Sequence, residues 1–199
     1  LSLSSELPSW PGSKGFESYQ FRKTPPDKTN DTFIQMDVHV GTHVESSLHR
    51  FMSGKAIEEY SIDRFIFVAR VVDLESLIGT ETHYEKGPEE AIFIRTLNSS
   101  RNLLDQNQIV ADFESIPLDV AKKISELGYL CVGIDYLSVD GLYSDGEAHG
   151  MFFKNDMLII ESLDLRGIEN GLYECIALPL KIMNAEAAPC RVVIREIQA

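Results

Sequence analysis

The sequence predicts an α/β or α+β fold on a mixed β-sheet, with residues 1–199 as a single domain, and three observations carry that prediction. Apolar segments of strand length outnumber segments of helical period. A helical segment falls between strands instead of after them. No internal repeat, low-complexity tract or linker divides the chain. At 199 residues and 44% hydrophobic content the chain has enough apolar side chain to bury a core without staples.

The elements follow in chain order. Residues 1–30 carry Ser, Pro and Gly, with Pro8-Ser-Trp-Pro11-Gly12 and Pro25-Pro26 as punctuation, and predict turns around one short strand from Glu17 to Arg22. From Thr32 to Glu45 the pattern alternates. Ile34, Met36, Val38, Val40 and Val44 fall on even positions while Asp37, His39, His43 and Glu45 fall on odd ones, which is the period of a strand. Phe65–Leu74 and Ala91–Thr96 are rich in Phe, Ile and Val and predict further strands. Ser115-Ile-Pro117 predicts a helix start, with Ser as cap and Pro in the first turn, and Val120, Ile124 and Leu127 keep helical spacing up to Gly128. Tyr129–Asp135 is expected to be a buried strand whose end opens into a site. Met157–Ser162, Tyr173–Ile182 and Arg191–Ile197 complete the strands.

Charge narrows the function. Thirty-one acidic against 18 basic residues give a formal charge of -13, which repels a phosphate backbone and an anionic membrane surface. Neither nucleic acid nor membrane is expected as a partner. No apolar run approaches the roughly 18 residues of a membrane span, and the N-terminal residues show no secretory pattern. Cys131, Cys175 and Cys190 form no C-x-x-C pair, so neither a disulfide framework nor a thiolate zinc site is indicated, and a cytoplasmic location is expected.

Three of the five histidines lie in the eleven residues His39-Val-Gly-Thr-His43-Val-Glu45-Ser-Ser-Leu-His49. On an extended backbone His39, His43 and Glu45 project to one face while valines pack on the other. Gly41 leaves a gap between the imidazoles and lets the strand bend. Two neutral imidazoles and a carboxylate suit zinc, manganese or iron(II) and leave room for water. His49 follows where the alternation has lapsed, as a ligand or as a proton carrier. In the second stretch, from His149 to Glu161, Glu161 sits within an apolar strand, where an unpaired carboxylate is costly; its partner is a metal or a buried Lys or Arg. Trp10 between two prolines is a pocket wall or a packing anchor. His83 lies in a polar loop and is expected on the surface.

These residues resemble the bacterial and archaeal kynurenine formamidase group, also called the Putative cyclase family, which includes isatin hydrolases. That family's signature is H-x-G-T-H-x-D-x-P-x-H, matched by His39-Val-Gly41-Thr42-His43-Val-Glu45-Ser-Ser47-Leu-His49. Support comes from Ser9-Trp10-Pro11-Gly12, Gly133-Ile-Asp135-Tyr-Leu-Ser138-Val-Asp140, the interval from His149 to Glu161, and Leu178-Pro179-Leu-Lys181-Ile. The resemblance covers nearly the whole chain. It implies a swivelling β/β/α fold, assembly into homodimers or homotetramers, and one or two divalent metals per chain, zinc foremost and manganese as the alternative. By position His39, His43 and Glu45 correspond to ligands of the first metal, with Glu45 bridging to a second held by His149 and Glu161, and His49 to the general acid/base. Two residues depart from the signature. Glu45 replaces Asp and adds one methylene, and Ser47 replaces Pro, so a less constrained turn is expected ahead of His49.

The function expected from this is a metal-dependent amidohydrolase acting on a small aryl amide, with N-formyl-kynurenine, hydrolysed to kynurenine and formate, as the leading substrate. The alternatives are a cyclic amide or lactone hydrolase, or a cyclase or dehydratase, on the same ligands, and a non-catalytic metal-binding protein. Trp10 is the expected substrate contact.

Overall fold

The computed structural model describes residues 1–79 and 85–197. The expectation for His83 lies outside the described residues. A hairpin of β1 (Phe16–Arg22) and β2 (Asp31–Met36) stands apart as a two-stranded sheet. The remaining strands form one mixed eight-stranded sheet in the order β10-β8-β4-β5-β6-β7-β3-β9. Its centre, β4 (Ile66–Asp73), β5 (Ala91–Arg95), β6 (Cys131–Ile134) and β7 (Leu158–Glu161), is parallel. On one side lie β8 (Gly171–Ile176) and β10 (Val193–Glu196), on the other β3 (His43–Glu45) and β9 (Ala187–Pro189), each antiparallel to its neighbours.

The central strands are apolar at nearly every position because both faces are covered. Alternation assigns each side chain to a face. Phe67, Ala69, Val71, Ala91, Phe93, Leu158 and Ile160 enter one core, while Ile92, Ile94, Val132, Ile134 and Ile159 enter the other. Two helices cover the second face. α2 (Leu118–Glu126) contributes Val120, Ala121 and Ile124, and α3 (Glu147–Lys154) contributes Ala148, Phe152 and Phe153. A four-residue helix, α1 (Leu97–Ser100), follows β5. Among the described residues no helix is long and apolar enough to cross a membrane.

Three expectations are corrected. The continuous strand over 32–45 is two strands in two different sheets, separated by a turn at residues 37–42. Gly41 takes φ +69°, and the Asp37 carboxylate accepts the His39 backbone N–H at 3.1 Å, so the local hydrogen bond and the left-handed glycine break the alternation. Ser115 is not the cap of α2; Pro117 occupies that position. β8 ends at Ile176 and does not run on to Ile182, with Pro179 beyond it unable to donate to a ladder. The helix α3, which carries His149, had no local signal in the sequence. Its cap residue is Gly146, whose lack of a side-chain acceptor hides the helix start from a reading of local signals.

Candidate metal centre

β3 and β7 build the floor of the site. They pair antiparallel with His43 opposite Glu161, Val44 opposite Ile160 and Glu45 opposite Ile159. Val44 and Ile160 point into the first core, so His43, Glu45 and Glu161 all emerge on the face covered by α3. Thr42 fixes the start of β3, its hydroxyl donating to the Ser162 carbonyl at 2.7 Å while its own carbonyl accepts from the Cys190 N–H at 3.0 Å. His39 approaches from the 37–42 turn, His49 from the 3-10 turn Ser47–His49, and His149 from the third position of α3. All six metal and proton-transfer candidates named from the sequence therefore meet in one place. His39 gets there through the turn and not along an extended strand.

Glu45 is the hub, with 1% of its surface exposed. Its Oε1 lies 2.7 Å from His39 Nδ1, 3.3 Å from His43 Nε2 and 3.9 Å from His49 Nε2, and its Oε2 lies 3.1 Å from His149 Nε2. Glu161 adds Oε2 at 3.6 Å from His43 Nε2 and Oε1 at 3.4 Å from His149 Nε2. Oε1 of Glu161 also accepts the Val139 N–H at 2.8 Å. Two donor sets, His39–Glu45–His49 and His43–Glu45–Glu161, each have ligand atoms within 4.8 Å of one another, and Glu45 belongs to both.

Outward-facing nitrogens decide which lone pairs point inward. His43 Nδ1 donates to the Gly41 carbonyl at 2.9 Å, His149 Nδ1 to Asp140 Oδ2 at 2.6 Å, and His39 Nε2 to Glu186 Oε1 at 3.1 Å. With those protons placed outward, three imidazole lone pairs face two buried carboxylates. Acceptors facing acceptors repel unless a proton or a cation lies between them. This donor chemistry fits a divalent metal, each histidine having its ring orientation set from behind.

In the metal-free chain, protons supply the positive charge. Burial disfavours charge on His39, but the hydrogen bond and charge of Glu45, with help from Glu186, push its pKa up to about 9. Burial works against His149 as well and is outweighed by Asp140, Glu161 and Glu45, so its pKa is raised. Burial would raise the pKa of Glu45, yet the surrounding imidazoles hold it well below the ordinary carboxylate range. His49 behaves differently. Burial dominates there, only partly opposed by the Glu45 charge, and its pKa falls below the ordinary 6.5.

A cavity of about 570 Å³ opens over the centre, lined by His39, Glu45, His49, His149 and Glu161 on its floor. Trp10 lines it too, and packs edge-on against Phe113 with ring centroids 6.4 Å apart, so the pocket wall is itself anchored. Ser47 does not loosen the turn before His49. Its hydroxyl accepts the Lys55 N–H at 2.9 Å and supplies a tether that proline lacks. Two residues of the centre were not assigned roles from the sequence. Glu186 precedes a strand of three small residues and carries no local signal. Asp140 lies nine residues before His149, and only the fold shows that it caps α3 from a distance, accepting the Ala148 and His149 N–H groups at 3.0 Å each.

Comparison with known proteins agrees with this architecture. The model of the family described as "Putative cyclase" matches residues 1–141. A kynurenine formamidase of Bacillus cereus is 31% identical over 204 residues, covering 98% of this chain and 94% of the relative. A solved structure described as a potential metal-dependent hydrolase with cyclase activity superposes with a TM-score of 0.82 at 22% identity, covering 100% of this chain and 96% of that one. Isatin hydrolase A from Ralstonia solanacearum superposes with a TM-score of 0.74 at 17% identity, covering 96% of this chain and 88% of that one. By the extent of the family match and by its full-length likeness to a kynurenine formamidase, the chain belongs to the Putative cyclase family.

Proposed function

We propose that the chain is a metal-dependent hydrolase of aryl formamides, with N-formyl-kynurenine as its substrate. The observation that carries the reading is the convergence of three oriented imidazoles on Glu45 and Glu161 beneath an open cavity. In this reading His39, His43, Glu45, His149 and Glu161 hold one or two zinc or manganese ions, and residues 1–199 form one swivelling β/β/α domain that assembles as a homodimer or homotetramer. A bound divalent ion supplies a Lewis acid for the carbonyl and lowers the pKa of water.

The chain's own residues do the rest. Burial holds the pKa of His49 below its ordinary value, so its ring is neutral at pH 7 and can accept a proton. It takes that proton from the attacking water and returns it to the departing aryl nitrogen, giving the amine and formate. Trp10, at the wall of the cavity, presents a flat apolar face to the aryl ring. Asp140 and Glu186 hold the rings of His149 and His39 in place.

The test is the initial rate of N-formyl-kynurenine hydrolysis by the purified chain as isolated, after chelation, and after adding back zinc or manganese. Turnover lost to the chelator and restored by metal is the expected result. Absence of turnover in every state, with the chain folded and metal bound, rejects this substrate and leaves the cyclic amides and lactones.

A further inference from the structure

Arg50 is the feature of the cavity that hydrolysis of a formamide does not use. It lines the same cavity as His39, Glu45, His49, His149 and Glu161, and adjoins His49 in sequence. The chain carries 31 acidic residues against 18 basic ones, so its cations find carboxylates readily. Apart from Arg191, every other arginine has a carboxylate within ion-pair distance. Among the described residues none is so placed for Arg50, although Asp37, Asp140 and Asp145 share its cavity.

The guanidinium is nonetheless held. Its Nη2 donates to the Asp145 carbonyl. It also lies against Gly146, where an added Cβ would come within 2.8 Å of Nη1 and 3.1 Å of Cζ. A backbone carbonyl and a bare glycine fix the fork at the cavity wall without neutralising it, which leaves a placed positive charge facing the cavity.

We infer that Arg50 is a specificity residue that receives a carboxylate on the substrate, so the preferred aryl formamides are those that carry one. A guanidinium fork matches a carboxylate in two parallel hydrogen bonds. The acidic neighbours argue for a singly charged group, because Asp37, Asp140 and Asp145 would repel the second charge of a phosphate. The inference rests on the formamidase reading and names a group of the substrate that the bond-breaking step itself does not use.

The experiment compares metal-loaded wild type, Arg50→Gln and Arg50→Lys on 2-formamidobenzoate and on uncharged formanilide, with benzoate binding to each protein measured by calorimetry. In Arg50→Gln the ratio of kcat/KM for the anionic over the neutral formamide is expected to fall about 10- to 100-fold, chiefly through KM. Arg50→Lys, which keeps the charge and loses the fork, should fall in between. An unchanged ratio in Arg50→Gln overturns the inference. Should wild type hydrolyse neither formamide, the reaction falls and the calorimetry decides the anion site: weaker benzoate binding in Arg50→Gln supports it, and equal binding overturns it.

Discussion

At the scale of single residues, Asp140 and His49 lie on opposite sides of the same chemistry. Asp140 is buried and accepts from His149 Nδ1, from two α3 backbone N–H groups and from the Ser144 hydroxyl at 2.9 Å. Burial alone would raise its pKa; the His149 ring and the two backbone N–H groups bring it down to about 2. It is ionised at neutral pH and fixes the His149 tautomer. Asp140→Asn should weaken zinc binding by roughly 10- to 100-fold, read by competition with a chromogenic chelator; unchanged affinity would remove Asp140 from its positioning role. His49 approaches Glu45 no closer than 3.9 Å and faces the cavity. His49→Ala should therefore keep its metal content while kcat falls about 10²- to 10⁴-fold. Loss of metal in that variant would make His49 a ligand in the His39–Glu45–His49 set instead. The ligand types were legible in the sequence because three histidines and a glutamate crowd into eleven residues. Asp140 and Glu186 were not, since each reaches its histidine only through the fold, Glu186 across 147 positions of chain.

At the scale of elements, the turn Ser47–His49 shows how local packing stands in for the proline of the family signature. The Ser47 hydroxyl accepts from Lys55, the Ser47 carbonyl accepts the Phe51 N–H at 2.9 Å, and Gly54 packs on the same peptide. A Cβ at Gly54 would lie 2.3 Å from the Ser47 carbonyl carbon and oxygen, both of them backbone atoms. Gly54→Ala should displace the turn, cost about 1–3 kcal/mol of stability and lower kcat by moving His49. A thermal melt and an initial rate check both effects, and wild-type values for each would show that the turn adapts. Elements with regular apolar periods, such as β5, β6 and β7, were legible because burial on both faces leaves continuous Ile, Val and Phe. The 37–42 turn was not, because its valines keep the parity of a strand while Gly41 and the Asp37 side chain turn the backbone. α3 was hidden for a related reason: its capping carboxylate lies outside the helix, on Asp140.

At the scale of the whole molecule, the sheet gathers the centre by joining two directions of chain. The parallel strands deliver Glu161 at the end of β7, and the antiparallel β3 returns to place His43 opposite it. Two buried carboxylates are then tolerated only while positive charge, a proton or a bound cation, accompanies them, which ties folding to pH in the metal-free protein. In the metal-free protein the pKa of His39 stands at about 9 against 6.5, and that of His149 is also raised. Groups shifted upward contribute stability that is fully present below about pH 6.5 and is lost as pH rises through about 9. The melting temperature of the chelated protein should fall across that interval, whereas saturating zinc should abolish most of the fall. A flat profile without metal would mean that the imidazoles do not carry the balancing protons.

Whether Glu45 anchors a metal centre is decided by anomalous diffraction from zinc-loaded crystals. A zinc peak is expected about 2.0–2.2 Å from a Glu45 carboxylate oxygen and from inward nitrogens of the surrounding histidines, on the floor of the cavity lined by Trp10. Zinc bound elsewhere on the molecule, with the Glu45 carboxylate contacting only protein, would contradict it.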